Sequence, residues 1–489
     1  MTTPQTKFPR TVSRRNFLSS QTMGLGGLAA TWLLTKDGFA ADMVKPTLER
    51  PTFDLKPKPP HAEPAARAMI SIFTSGGPSQ IDLFDPKPEV DKRNDTEFTG
   101  DLKLGSNMAA RNSRKLLGSK WKFRRYGKSG IAMSELLPNI GSIADDITLI
   151  RSVQTFNSSH GPAIAAINTG RPLRGRPSLG SWVTYGLGTE SQDLPAFVVL
   201  TDEAGLPLDR NANWSNGFIP SIYQGSVVRP REPRILDLDA PDNLRGPAQR
   251  EWLAFLDQFN REHLKQHPGE NDLEARIASY ELAARMQVAA KEALDFSNES
   301  KATKKLYGLD QEETREFGSR CLIARRLVER GVRFVQLHNA YQQWDHHSDI
   351  HGRLPVMCRK TDQPSAALVK DLKSRGLLDT TLVHWGGEMG RLPIIETQKP
   401  IGRDHNPNGF SMWLAGGGIK AGHVHGKTDE LGFRAIQDSV THFDYHATLL
   451  HLFGLNHRKL LFERSTRQER LTDGQPAKVV NGILKTPIA

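Results

Sequence analysis

The sequence predicts an α/β fold in which a mostly parallel, doubly wound sheet is flanked by helices. Two observations support this class. Short apolar runs that suit buried strands alternate with amphipathic segments of helical period over about 300 residues. Several runs also end in turns rich in Gly, Ser and Asp, and such sheets place their ligands at the carboxyl ends of their strands.

The N-terminal half contains three predicted strands. The first is Ala68–Phe73 (AMISIF), which breaks at a Gly-Gly-Pro-Ser turn. The second, at 147–153, leads into a helix at 163–168, and the third occupies 196–200. The segment 90–130 is polar, and we predict it to be irregular.

The C-terminal half continues the alternation of helices and strands. Two amphipathic helices are predicted at 272–296 and 311–330, because apolar side chains recur there with the helical period. The later elements are a strand at 333–337, a helix near 365–375, strands at 380–385 and 412–415, and a helix at 444–453. We interpret 201–330, which begins with a loop-rich stretch at 201–265, as an insertion or cap within one domain.

Length and composition favour one large, elaborated domain. The chain has 489 residues, and its 42 Gly and 30 Pro indicate many loops. With only two cysteines, Cys321 and Cys358, a disulfide scaffold is not expected. We predict a signal peptide at 1–40, an extended lead-in at 41–65, the domain at 66–475 and a C-terminal tail at 476–489.

The first forty residues have the features of an export signal. Arg14 and Arg15 form the pair of a twin-arginine signal, and a weakly apolar run at 23–34 precedes Ala40. That run is short for a membrane span, and we expect none after signal removal. We therefore expect export by the twin-arginine pathway to the periplasm or another extracytoplasmic compartment, with a disordered basic tail as the alternative.

The formal net charge of +11 raises the question of an anionic partner. The tightest basic group, Lys120, Lys122, Arg124 and Arg125, has no interleaved pattern of aromatic residues. We interpret it as a solvated face, so no nucleic-acid partner is predicted. An anionic substrate remains compatible with the charge.

Twelve of the sixteen histidines lie between His338 and His457. The densest group, Trp344-Asp345-His346-His347, follows the predicted strand at 333–337. Imidazole and carboxylate at such a position suit a divalent metal, so Asp345 and His347 are candidate ligands, with a hydrogen-bonded turn as the alternative. His405 is a third candidate, and Asp404 is either a ligand or orients His405 through its other nitrogen.

Four more side chains could serve the same site. Glu388, in a Gly-rich loop, is either a ligand or a loop anchor. Arg391 could bind an anionic oxygen in a catalytic role, or form a plain salt bridge. Asp82 could reach the metal or only cap a turn, and His446 begins a helix that faces the same crevice.

Two turns could bind an anion. His160 stands at the start of a helix, where free backbone N–H groups and the helix dipole favour negative charge, and it is our candidate catalytic residue, with a structural histidine as the alternative. Gly76, Gly77 and Ser79 could cradle an anion with their backbone amides, or form a tight turn alone.

The turn at His160 resembles the nucleophile helix of sulfatases and alkaline phosphatases. In those enzymes its position is held by Ser, Thr or a Cys that becomes formylglycine. Asp345, His347 and His405 resemble metal ligands of the same superfamily. The resemblance implies an alkaline-phosphatase/sulfatase-like fold with one metal site, while Gly386-Gly387-Glu388 replaces an Asp-His pair of the characterised enzymes.

Nearly the whole chain resembles a bacterial family that is abundant in planctomycetes and known as domain of unknown function 1501. The motifs are GGPSQIDLFDPKP (76–88), SHGPA (159–163), ARRLVERGVRFVQL (324–337), WDHH (344–347), GGEMGR (386–391), GRDHNP (402–407) and HATLLHLFGL (446–455). The resemblance implies an exported protein, and a planctomycete cytochrome-c-domain protein as a partner.

Two functions follow as hypotheses. The first is an exported metal-dependent hydrolase of phosphate or sulfate esters, including sulfated glycans, with His160 as nucleophile or general acid. The second is a catalytically repurposed protein that binds a metal or an anionic glycan within a complex with the cytochrome-domain partner. The mixed His and carboxylate ligands suit Zn, Mn or Fe better than Ca.

Overall fold

The structure is a computed structural model that describes residues 53–99, 114–240, 242, 245–267, 271–464 and 466–488. The predicted signal peptide lies outside these residues, as does 41–52 of the predicted lead-in. From Phe53 onward the described residues group into one compact unit. The domain boundaries at 66 and 475 stay a prediction.

The described residues form seventeen strands and eleven α-helices. The strands are β1 Ala68–Phe73, β2 Phe123–Tyr126, β3 Ile131–Ser134, β4 Ile147–Gln154, β5 Phe197–Leu200, β6 Ser226–Val228, β7 Phe334–His338, β8 Thr381–Gly386, β9 Gly390–Gln398, β10 Ile401–Asn406, β11 Phe410–Ala415, β12 His423–His425, β13 Lys427–Thr428, β14 Ala435–Gln437, β15 Val440–Thr441, β16 Phe462–Arg464 and β17 Arg467–Glu469. The helices are α1 Gln80–Leu83, α2 Pro88–Lys92, α3 Pro138–Gly141, α4 His160–Thr169, α5 Leu179–Leu187, α6 Pro247–Gln266, α7 Asn271–Leu294, α8 Lys301–Leu306, α9 Glu312–Glu329, α10 Ile350–Ser374 and α11 His442–Leu452.

A nine-stranded sheet lies at the centre, in the order β12-β4-β11-β8-β1-β7-β5-β6, with β15 also paired to β4. The pairings of this sheet are parallel except those of β11, which runs antiparallel to both β4 and β8. Consequently β1, β4, β7 and β8 all end at the same edge. The predicted mostly parallel sheet is confirmed.

Helices cover both faces of this sheet. Successive strand residues point to opposite faces, so Ile70 and Val335 join the core beneath α9 and α10. Their neighbours Met69 and Phe334 join the opposite core with α4, α5 and α11. Two helical layers on a mostly parallel sheet make the fold doubly wound, as predicted.

Four local predictions need correction. The predicted helix near 365–375 is the end of α10, which begins at Ile350 and passes through Pro355 and Pro364. The stretch 201–265, predicted to be loop-rich, contains most of α6. All side chains of α6 are at least partly exposed, so the helix has no buried apolar stripe that would mark it in the sequence.

Within the segment 90–130, which we predicted to be irregular, β2 pairs with the following β3. The β9–β10 hairpin was not predicted, and α9, inside the predicted insertion, packs against β7 and β1.

Two further observations concern the described part of the chain. Cys321 and Cys358 are both buried, and neither forms a disulfide. None of the described helices combines the length and the apolar character needed to cross a membrane.

Candidate metal centre

Four side chains meet at the carboxyl edge of the sheet. His160 is the first residue of α4, which follows β4; Asp345 and His347 lie in the loop after β7; His405 lies on β10. One ligand atom from each lies within 4.8 Å of all the others. We predicted three of them as metal ligands and His160 as a catalytic residue, and the structure brings all four into one cluster.

Asp345 is the centre of this cluster. Its Oδ1 lies 3.1 Å from His347 Nε2 and 3.4 Å from His405 Nε2, and its Oδ2 lies 3.2 Å from His160 Nε2. Burial alone raises the pKa of Asp345, but His160, His405 and the Arg391 guanidinium hold that pKa well below its usual range. Asp345 is therefore a carboxylate in the folded protein.

Each of the three imidazoles directs Nδ1 at a hydrogen-bond acceptor and Nε2 at Asp345. His160 Nδ1 lies 2.6 Å from Glu388 Oε1, and His405 Nδ1 lies 2.6 Å from the Ser158 carbonyl oxygen. His347 Nδ1 bonds to Glu396 Oε2. A carbonyl oxygen only accepts, so His405 carries its hydrogen on Nδ1 and, when neutral, keeps its lone pair on Nε2. Carboxylates favour the same tautomer in the other two rings.

The arrangement fits a divalent metal ion. Tetrahedral bonds of about 2.0–2.1 Å place neighbouring ligand atoms about 3.4 Å apart. The three Nε2 to carboxylate distances, 3.1 to 3.4 Å, are close to that separation. His160 Nε2 is buried and has no partner in hydrogen-bond geometry among the described residues. Three imidazole nitrogens and one carboxylate suit Zn, Mn or Fe.

His160 differs from the other two rings in its charge. Burial lowers its pKa, but the contacts with Asp345 and Glu388 outweigh burial and raise the pKa to about 9. For His405, burial is the larger influence and its pKa is lowered. In the metal-free protein at neutral pH, His160 is therefore an imidazolium between two carboxylates.

This charge predicts how the stability of the metal-free protein depends on pH. The raised pKa means that protonated His160 stabilises the fold fully below pH about 6.5, and this stabilisation is lost as pH rises through about 9. We expect the free energy of unfolding to fall by up to about 3 kcal/mol over that range. Denaturant titrations of the wild type and of His160→Gln with metal removed measure it. Equal slopes against pH in both proteins contradict the assignment.

Glu388 occupies a different position from the one we predicted for a ligand. It is fully buried, and its carboxylate accepts from the backbone N–H of Gly76 (3.0 Å to Oε1) and faces His160 Nδ1. Both oxygens are thus directed at the chain, with Gly76 N 3.3 Å from Oε2. Glu388 anchors the loop after β1 and positions His160.

Arg391 does not face a substrate. It is fully buried, and its guanidinium donates to the carbonyl oxygens of Gly76, Gly77 (2.9 Å) and Arg403 (3.1 Å) and to Asp345 Oδ1. These bonds engage every guanidinium nitrogen. The predicted catalytic contact with an anionic oxygen is therefore replaced by a positioning contact with Asp345.

In the predicted anion-binding turn at Gly76, Gly77 and Ser79, the polar groups of Gly76 and Ser79 bind carboxylates of the protein. The Gly76 amide binds Glu388, and the Ser79 hydroxyl donates to Asp82 Oδ2 at 2.6 Å. Gly76 has φ +115°, and a Cβ there would lie 2.5 Å from the backbone nitrogen of Asp345. The tight turn, which was the alternative, describes this loop better, because close packing against the Asp345 backbone requires glycine.

Asp82 and His446 do not belong to the cluster. Both Asp82 oxygens accept from Arg403, at 2.8 Å from Nε and 3.0 Å from Nη2, and both side chains are buried. His446 Nε2 bonds to the Ile167 carbonyl oxygen at 2.7 Å, and burial lowers the pKa of this histidine to about 3. The first is a buried ion pair and the second a neutral core histidine, so neither is placed to bind the metal.

Asp404 and Glu396 lie on the outer side of His347. Asp404 Oδ1 accepts from the backbone N–H of His405 at 2.7 Å and lies 4.0 Å from His347 Nδ1. The other nitrogen of His405 bonds to Ser158, not to Asp404 as we considered. We did not predict Glu396. Its only signal is an acidic residue directly after an apolar run on β9, and its role depends on the unpredicted β9–β10 hairpin.

A model of the family described as "Protein of unknown function (DUF1501)" matches residues 66–484. No curated protein sequence matches the chain.

Similar solved structures include enzymes of three kinds. The sulfatase PsFucS1 from Pseudoalteromonas sp. has TM-score 0.35 and 12% identity, over 80% of this chain and 68% of its own. The lipoteichoic acid synthase LtaP from Listeria monocytogenes has TM-score 0.34 and 11% identity, over 88% and 79%. The phosphonate monoester hydrolase SpPMH from Silicibacter pomeroyi has TM-score 0.32 and 10% identity, over 80% and 73%. Similarity at this level carries no conclusion about the chemistry of this chain.

Proposed function

The chain belongs to the family of proteins of unknown function DUF1501, and from its site we propose an exported, metal-dependent hydrolase of phosphate or sulfate esters. His160, Asp345, His347 and His405 hold the metal. The observation that carries the proposal is the common orientation of the three imidazoles, each with Nδ1 bonded to an acceptor and Nε2 directed at Asp345. Histidines that bind a metal in proteins are held in this way.

The role of His160 changes from the one we first considered. A nucleophile or general acid needs one ring nitrogen free to approach the substrate. Here Nδ1 is engaged by Glu388, and Nε2 faces Asp345 with the other ligand nitrogens. We propose His160 as a ligand, with water as the nucleophile. When bound, a divalent metal supplies Lewis-acid chemistry to an ester oxygen.

The surroundings of the cluster favour an anionic substrate. The first turn of α4 has backbone N–H groups and a helix dipole that attract negative charge. Arg174, whose side chain is largely exposed, pairs with Asp209. A Cβ placed on Gly161 would lie 3.5 Å from Asp209 Oδ2, so the Arg174–Asp209 pair lies beside the start of α4. This guanidinium, unlike that of Arg391, is accessible to a ligand.

A metal assay and a broad ester panel together test the proposal. Protein from the extracytoplasmic fraction should contain about one metal per chain, and His347→Ala should reduce both metal affinity and turnover more than about 100-fold. His451→Ala, on α11 at the opposite edge of the sheet, is the matched control and should change neither. Metal-loaded protein that is inert on the whole panel would refute the proposal. Retention of Arg14→Lys/Arg15→Lys protein in the cytoplasm tests export.

A second candidate is a binding protein that keeps the metal but not the reaction. The observation that favours it is that both side chains we predicted as catalytic are engaged internally, Arg391 by three carbonyls and Asp345, and His160 by Glu388. Under this proposal, metal-loaded protein turns over no ester and binds an anionic glycan or a cytochrome-domain partner. Turnover that depends on Asp345 rules it out.

A further inference from the structure

An apolar cavity of about 190 Å³ lies between α7, α9 and the two strands at one end of the central sheet, β5 and β6. We call it the inner cavity. Its buried walls include Val198 of β5, Val228 of β6, Met286 of α7 and Leu327 of α9, and Ser226 is the one polar residue among the described residues that line it. An apolar cavity of about 150 Å³ can already hold benzene, so the inner cavity has room for a ring or a short alkyl chain.

The sequence of α7 explains why this space is unfilled. Met286, Ala290 and Leu294 recur every four residues on one face of α7, and all three are buried and line the inner cavity. The Ala290 methyl group is shorter than the side chains one turn before and one turn after it, so the space beside it stays open. An unfilled cavity in a core is destabilising, and a ligand that fills it supplies the missing contacts.

A second, larger cavity adjoins the inner one. This outer cavity has a volume of about 680 Å³, and Ile235 and Leu294 line both cavities. Leu294 is buried, whereas Ile235 is partly exposed and forms the boundary that a ligand passes. A molecule that is apolar at one end and polar at the other can therefore occupy both cavities at once.

The residues that line the outer cavity carry an excess of negative charge. Two of its four carboxylates, Asp237 and Asp295, form no ion pair with any residue that the structure describes. The chain as a whole has a net charge of +11, so these acidic walls do not follow from its composition. Acidic walls favour a cation and disfavour an anion. The other two carboxylates are each paired with a cation that also lines the cavity, in the pairs Glu232–Arg234 at 2.8 Å and Asp239–Lys291.

We propose that the two cavities form one binding site for a small amphiphilic amine. Its alkyl or ring part fills the inner cavity beside Ala290, and its ammonium group lies among the carboxylates of the outer cavity, with Asp237 as a partner. A neutral molecule of the same shape gains only the first contact, and a carboxylate meets repulsion in the outer cavity. No residue of the metal cluster lines either cavity, so this site is independent of the proposed hydrolase function.

Calorimetric titration with simple probes tests the site. Hexylamine, hexan-1-ol and hexanoate differ in charge, and butylamine differs from hexylamine only in chain length. At neutral pH, hexylamine should bind the full chain about fivefold more tightly than hexan-1-ol, with hexanoate weakest. Butylamine should bind roughly tenfold more weakly than hexylamine, because two fewer methylenes are buried. Chelation of the protein should change none of these affinities.

Two substitutions test the two cavities separately. Ala290→Leu fills the inner cavity and should weaken hexylamine binding more than about tenfold, in a protein that unfolds at no lower denaturant concentration than the wild type. Ala283→Leu, at an exposed position on α7, is its control and should leave binding unchanged. Asp237→Asn should reduce the preference for hexylamine over hexan-1-ol to about twofold without changing hexan-1-ol affinity. Asp237 is exposed and has φ +52°, which Asn also tolerates, so this variant should fold even if Ala290→Leu does not.

The results that overturn the inference are distinct from those that bear on hydrolysis. Equal affinity for the three hexyl probes, or tightest binding of hexanoate, contradicts the amine assignment. Wild-type hexylamine affinity in folded Ala290→Leu protein, or no dependence on chain length, contradicts the inner cavity as the site. Loss of hexylamine binding on chelation places the amine at the metal instead and also overturns the inference. None of these results changes the expected ester turnover.

Discussion

Asp345→Ala should abolish metal binding and ester hydrolysis together. All three ligand imidazoles point Nε2 at this carboxylate, so its removal takes away a ligand and leaves His160, His347 and His405 without their common acceptor. It also leaves the fully buried Arg391 without its anion. We expect metal affinity to fall more than about 100-fold and turnover to fall to background.

The control for this substitution must separate loss of metal from loss of stability. Asp371 is also buried and ion-paired, with Arg325 at 3.0 Å and Arg375 at 2.7 Å, and it lies near the end of α10, outside the cluster. Asp371→Ala should destabilise the protein but keep one metal per chain. Metal content by elemental analysis, beside a denaturant titration, measures both effects. If Asp345→Ala binds metal as tightly as the wild type, the metal does not bind at this cluster.

Asp82→Ala should have the opposite profile, with a large loss of stability and no loss of metal. Asp82 and Arg403 form a bidentate ion pair, and both side chains are almost completely buried. Removal of the carboxylate leaves the Arg403 charge unpaired in the core. We expect the free energy of unfolding to fall by about 3–5 kcal/mol, while the metal stoichiometry of the folded protein stays at the wild-type value.

Asp95→Ala is the comparison for this second effect. Asp95 pairs with Lys115 at 2.9 Å, but both side chains are substantially exposed. Its removal should change the free energy of unfolding by less than about 1 kcal/mol. Denaturant unfolding of chelated protein gives the stability, and elemental analysis gives the metal. If Asp82→Ala instead loses metal with little change in stability, Asp82 is a ligand after all.

The strands of the sheet were predictable because they are apolar on both faces. β1, β7 and β8 read as short, mostly apolar runs that are buried on both faces, although each contains a polar residue, Ser71, Gln336 or His384. The prediction near 365–375 covers only the end of α10. The two prolines before it suggest a break in the sequence, but the helix continues through both. The β9–β10 hairpin carries buried polar residues such as Arg391 and Arg403, so it lacks a strand pattern.

In the site, the proposed ligands were easier to predict than the residues that support them. Asp345 and His347 follow an obvious strand, so their spacing alone indicates a metal site. The roles of Glu388, Arg391 and Asp82 depend instead on partners hundreds of residues away or on another strand, which local spacing does not encode. His160 lies in the same cluster as Asp345, His347 and His405, but its contact with Glu388 changes the chemistry that its position suggests.

The antiparallel strand β11 has a consequence for the order of assembly. β4 reaches the rest of the central sheet only through β11, which is inserted between β4 and β8. The turn that carries His160 follows β4, whereas Asp345 and His347 follow β7, on the far side of β11. We therefore expect these residues to meet only after the chain has been made as far as Ala415 and β11 has entered the sheet. Because such long-range pairing is slow, we expect a bound metal to mark chains whose folding is complete.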